Sequence, residues 1–125
     1  MTDAELCREV AVKVMGWRYD KRNPNKPIVP NASDPNWAHF EDFELSWSDA
    51  GRVVERMHSL GFAPFDCYSP YRDSWHVVFS WEACEHSSIT MGVASTFPRA
   101  VFEAALKAVE ARDAQMAHAI EEEQV

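Results

Sequence analysis

Cys84 and His86 stand two residues apart, between Glu82 and Glu85, and come nearer than any other pair to a reactive or metal-binding arrangement. Zinc, however, takes four donors, or three and a water. No Cys-x-x-Cys or His-x-x-x-His pair supplies the rest, so Cys67 or His76 would have to be brought in by the fold. As nucleophile and base, the pair would need a thiolate. The flanking carboxylates push a cysteine pKa up rather than down. No Gly-x-Ser-x-Gly, P-loop or dinucleotide-binding glycine pattern occurs. Four glycines in all leave few backbone nests for phosphate. The expectation is a polar loop, with no catalytic residue, no metal and no cofactor. An enzyme built on Cys84 and His86 is the weakest of three readings.

Recognition chemistry is better represented. Trp37, His39, Glu41, Asp42, Glu44 and Trp47, together with Phe40, form an acidic-aromatic stretch with no cation beside its acids in sequence. Such a surface suits a basic groove on a nucleic-acid-handling protein, because opposite charge speeds encounter and aromatic rings anchor the contact. The bland alternative is a solvated acidic face. Tyr71 and Arg72 place a ring beside a planar donor fork, a pair enriched at interface hot spots. With Trp75 and His76 they would line an aromatic pocket for a small ligand such as a nucleotide signal, which is the second reading. Against it, Trp75 and Trp81 share a strand face with Val77 and Phe79, which favours the core.

Helices and strands must position these residues. Leu6, Cys7, Val10, Ala11 and Val14 recur at three- and four-residue steps and predict a helix over Asp3–Met15, capped by Gly16. Trp17 and Tyr19 start a short strand. Asp20–Asn36 holds four prolines and reads as a long loop, with Ile28-Val29 able to pair at a sheet edge. Ser46 or Ser48 caps a second helix, whose stripe is Ala50, Val53, Val54, Met57 and Leu60 and whose end is Gly61. Phe62–Tyr68, Trp75–Trp81 and Ser88–Ala94 read as an antiparallel meander, with Ile89, Met91 and Val93 on one face of the last run. Thr96 caps a final helix with Pro98 in its first turn and Val101, Phe102, Ala105, Leu106 and Val109 inward. Like charge at Glu121-Glu122-Glu123 opposes the helix dipole, so residues 113–125 are expected to fray. Were that helix to run 24 residues, it would span about 36 Å. Met116 and Ile120 on its far half would then offer a homodimer contact. The fold class is α+β: a small antiparallel sheet of three to five strands packed with three helices, in the order α-β-α-β-β-β-α.

Composition bounds the rest. A chain of 125 residues, 46% hydrophobic and 26% charged, is one globular domain able to bury its own core. No apolar run approaches the roughly 20 residues of a membrane helix. The acidic start, Met1-Thr2-Asp3-Ala4-Glu5, lacks the order of a signal peptide, so a cytoplasmic location is expected. Three irregularly spaced cysteines, of which Cys7 and Cys67 read as small core residues, agree with a reducing compartment. A net charge of −8 argues against direct binding to a phosphate backbone and for a partner with a basic surface.

Three segments together resemble a known family. They are Val10-Ala11-Val12-Lys13-Val14-Met15-Gly16-Trp17, Ser46-Trp47-Ser48-Asp49-Ala50 through Val53-Val54-Glu55-Arg56-Met57 to Gly61-Phe62, and Ala94-Ser95-Thr96-Phe97-Pro98-Arg99-Ala100-Val101 leading to Ala104-Ala105-Leu106-Lys107-Ala108. In order and spacing they resemble small phage and prophage proteins of the phage ABA sandwich type, over nearly the whole chain. The resemblance implies an accessory protein acting inside an infected or lysogenic bacterium, and raises the expectation of host-defence antagonism, anti-CRISPR activity included. It carries no catalytic residues over.

Overall fold

The computed structural model describes residues 1–30, 38–62, 66–71, 73–83 and 86–123. Helix α1 spans Asp3–Lys13, opened by Thr2, whose hydroxyl accepts the Glu5 N–H. It is followed by strands β1 (Arg18–Asp20), β2 (Asn23–Pro30) and β3 (Ala38–Phe40). Helix α2 (Trp47–Ser59) precedes β4 (Asp66–Tyr71), β5 (Ser74–Ala83) and β6 (His86–Ala94), and α3 (Phe97–Glu123) closes the chain. The α+β class and the order of the helices are those expected from sequence. The strands, though, form two antiparallel sheets, β1-β2-β3 and β4-β5-β6, rather than one.

Much of the expected proline-rich loop is strand β2, and the rest of it, residues 31–36, lies outside the described residues. Proline removes a ladder donor, so it belongs where only one side of a strand is paired. β2 is the central strand and Ile28 pairs on both sides, but the pairing is interrupted where Pro24 and Pro27 stand: β1 pairs at Asn23 and Ile28 with a register shift between them, and β3 pairs only with Ile28, Val29 and Pro30. Pro24 and Pro27 fall within the irregular stretch. Pro27 keeps its carbonyl useful by accepting the Glu41 N–H at 3.2 Å.

The core centres on α3. Ala100, Val101, Phe102, Ala104, Ala105, Leu106, Ala108 and Val109 are all buried, almost the full circumference of the helix. A helix apolar all round needs cover on both sides. On one side α3 lies over β5 and β6; on the other it meets α1 and α2. Val77 and Phe79 of β5 face it from the sheet, and Leu6, Val10, Val53 and Met57 contribute from the helices. The strand β6 turns Gly92 to this side, and the larger Met91 and Val93 outward, 42% and 48% exposed. The reason is distance: a Cβ on Gly92 would sit 2.5 Å from the Ala104 nitrogen. Cys67 also departs from expectation. It pairs with Val77 yet is exposed, because β4 is an edge strand and α3 lies over the other two. The helix α3 runs to Glu123, the last described residue.

The ends of α1 and α2 are fixed by glycine and arginine. Gly16 and Gly61 have φ of 75° and 96°, the left-handed region where a side chain is strained. Arg56 of α2 donates from Nε to the Val14 carbonyl at 3.0 Å, supplying a donor to the carbonyl end of α1.

Candidate functional site

The acidic stretch is pinned by what it buries. Phe43 is inserted between Trp17, edge-on at 5.1 Å, and Phe102, stacked at 5.1 Å. With Phe43 turned inward, its neighbours Asp42 and Glu44 are exposed at the surface. Ser46 then caps α2 by accepting the Asp49 N–H at 3.1 Å. Asp49, nearly buried, does not reach back to Ser46 as in a capping box; its Oδ2 accepts the Glu44 N–H at 3.0 Å. Cap and acidic segment are thus one hydrogen-bonded unit.

The acids that lack neighbouring cations in sequence acquire them in space. Lys26 of β2 reaches Asp42 at 3.2 Å, because β2–β3 pairing sets the two side by side. Arg52 lies 3.7 Å from Glu41 and 3.2 Å from Asp49, with its guanidinium 4.8 Å from the Trp17 ring centroid. His39 Nε2 is 3.0 Å from Glu41. Glu44 has no such partner among the described residues. Four carboxylates (Glu41, Asp42, Glu44, Asp49) against Lys26 and Arg52 leave two negative charges in excess. The surface is acidic, but less so than the sequence alone suggests.

Among the described aromatics of this region Trp47 is the more exposed, at 64%, against 36% for Phe40. It opens α2, and its ring stacks at 4.5 Å on Phe97, which opens α3. Trp75, near the start of β5, meets both, edge-on at 6.0 Å to Trp47 and at 5.4 Å to Phe97. Three element starts therefore converge on one aromatic cluster. Such pairs contribute roughly 0.5–1.5 kcal/mol each beyond burial. The part Phe97 plays here escaped the sequence reading. Its signal was a repeated pair, Ser46-Trp47 and Thr96-Phe97, a capping residue followed by a large ring at each helix start.

Of the set Tyr71, Arg72, Trp75 and His76, the side chains that are described, those of Trp75 and His76, lie on opposite faces of β5. Consecutive strand residues point to opposite faces. Trp75 packs toward the core with Phe97, whereas His76 is on the other face, its Nε2 3.0 Å from Ser74 Oγ. Tyr71 pairs through its backbone with Ser74. Trp37, Arg72, Cys84 and Glu85 lie outside the described residues, so the Cys84–His86 pairing is undescribed as well. Met116 is half exposed on α3, and the side chain of Ile120 is outside what is described.

The family model of the phage ABA sandwich domain matches residues 8–106, from the first helix through the buried half of the last. The chain belongs to this family. Neither the curated proteins nor the solved structures compared with it contain a match. The matched span of this small phage protein contains Glu41–Trp47, Trp75 and Phe97, so the aromatic cluster is carried on the shared domain rather than on the C-terminal extension. Among the described residues, no helix of this phage ABA sandwich protein is long and apolar enough to cross a membrane.

Proposed function

We propose that this phage protein acts by binding rather than catalysis, and that its partner is a host protein with a basic surface, such as a nucleic-acid-handling defence complex that it antagonises in the manner of an anti-CRISPR. The contact is the acidic-aromatic surface around Trp47. The observation that supports this reading is that Trp47 presents most of its area to solvent while Phe97 and Trp75 hold its ring. A large ring already fixed before contact loses little conformational freedom on binding, which is the character of a hot spot. The neighbouring carboxylate excess would steer a basic partner toward it. The chain's net charge of −8 weighs against nucleic acid itself as the partner. In this reading Glu41, Asp42 and Glu44 set the rate of encounter, and Trp47 sets the lifetime of the complex.

The test is capture from infected host lysate with the wild-type protein and with the triple change Glu41→Lys, Asp42→Lys, Glu44→Lys. A basic protein recovered by the wild type and lost by the triple variant supports the reading. Equal recovery by both, at low and at high salt, overturns it.

A further inference from the structure

Beside the acidic segment lies a cleft of about 430 Å³, bounded by α1 and by the β1–β2 hairpin. Asp3 and Glu44 stand at its rim, Cys7, Phe43 and Leu45 line its depth, and Tyr19 forms the hairpin wall. The volume falls in the range of small-ligand sites, roughly 300–1,000 Å³, and a single extended side chain needs less. We propose that this cleft receives an arginine side chain of the basic partner, its guanidinium meeting Glu44 and its methylenes lying along Phe43 and Leu45. The inference deepens the proposed binding function and rests on it.

Three observations converge on a cation with an apolar stem. The first is the lining itself: apolar depth with carboxylates at the mouth matches a side chain whose charged head stays near water while its stem is buried. The second is that Glu44 has its backbone held by Asp49 while its carboxylate has no ion-pair or hydrogen-bond partner among the described residues. Asp3, by contrast, is already engaged by Arg99. A carboxylate with its acceptor sites open is what a planar donor fork pairs with. The third is the potential in the cleft. The Cys7 thiol is pushed up to about 11, first by burial and then by the charges of Asp3, Asp49 and Glu44, against a lowering hydrogen bond from the Leu45 backbone. Three carboxylates act at that sulfur in the same direction, so the Cys7 side of the cleft disfavours another negative charge, while Arg8 acts in the opposite sense on Tyr19 at the hairpin wall.

Arg8 also borders the cleft, but it is turned to the hairpin. Its guanidinium lies 4.4 Å from the Tyr19 ring centroid, and Nη1 reaches the Pro24 carbonyl at 3.5 Å. Its place on the Tyr19 face leaves the Glu44 side of the mouth for the incoming guanidinium. An anion binding at Arg8 is the competing outcome.

The experiment titrates the isotopically labelled full chain with N-acetyl-arginine amide, following backbone amide shifts. N-acetyl-citrulline amide, uncharged and of the same shape, and inorganic phosphate serve as comparisons. The arginine probe should shift Cys7, Tyr19, Glu44 and Leu45 together. The citrulline probe should not, and Glu44→Gln should weaken the arginine response at least threefold without altering the unfolding midpoint. Equal shifts with citrulline, shifts centred on Arg8 with phosphate, or no shifts at all would overturn the proposal. Because the probe is used without any partner, failure here with salt-sensitive capture intact removes only the cleft. Loss of salt-sensitive capture would remove the broader reading.

Discussion

Replacing Gly92 by alanine probes the close approach of β6 to α3. Gly92 is not among the glycines with positive φ, so the backbone itself accepts a side chain and only space decides the outcome. An added Cβ would lie 2.5 Å from the Ala104 nitrogen and 3.0 Å from its Cα, and closer still to the Ala100 carbonyl oxygen. Comfortable contact needs about 3.5 Å, so α3 would have to retreat by about 1 Å. All three neighbours are backbone, so no side chain can swing aside. The retreat would loosen the packing of Val77, Phe79 and the buried half of α3. Overpacking of this kind costs about 1–3 kcal/mol, and the upper part of that range applies because a whole helix must move. For a chain of this length each kcal/mol is roughly 4 °C, giving a fall in Tm of about 8–12 °C. Calorimetry and urea unfolding should both show it. Gly51→Ala provides the contrast: Gly51 is exposed on α2 with nothing within 4 Å of the new carbon, so a gain of about 0.5–1 kcal/mol is expected. An unchanged Tm for Gly92→Ala would refute the seating of α3 on β6.

Asp49→Ala should destabilise by about 1–3 kcal/mol in urea unfolding, since it leaves the Glu44 N–H without its acceptor and the Arg52 guanidinium with only the longer Glu41 contact. Cys7 makes stability fall in alkali. Its thiol titrates at about 11 in the folded chain against an ordinary value of 9.0, so the neutral form is favoured by folding; the contribution is whole below pH 9 and is lost as pH rises toward 11. The difference in Tm between wild type and Cys7→Ala, measured at pH 8 and pH 10.5, should shift against the wild type at the higher pH. Trp47→Ala should cost about 1–3 kcal/mol in thermal unfolding, because the ring is mostly exposed and loses its two ring contacts, while shortening the life of any complex; a loss of about 3–5 kcal/mol, as for a core truncation, would mean Trp47 is structural.

How much of this was legible in the sequence follows from which forces are local. The cap at Ser46, the stripe of α2 and the left-handed glycines at 16 and 61 were readable because each depends on residues a few positions apart. The alternation of β5 was readable for the same reason. Strand β2 was hidden because proline breaks a ladder only where its missing donor would have been paired, and which positions are paired is not a local property. In β6 the spacing correctly put Met91 and Val93 on one face, but only the approach of α3 decided that the glycine face is the buried one. The candidate site divides likewise. The exposure of Trp47 was foreseeable from its place at a helix start. Its company, Phe97 and Trp75, comes from 50 and 28 residues away in the chain. The cations Lys26 and Arg52 that moderate the acidic surface also arrive through tertiary contact.

The most direct measurement is the binding kinetics of the purified protein with its captured partner across a salt series, wild type beside Trp47→Ala. Association that slows steeply as salt rises, with dissociation at least tenfold faster in Trp47→Ala, is the expected result. Rates indifferent to both salt and Trp47 would contradict binding through the acidic-aromatic surface.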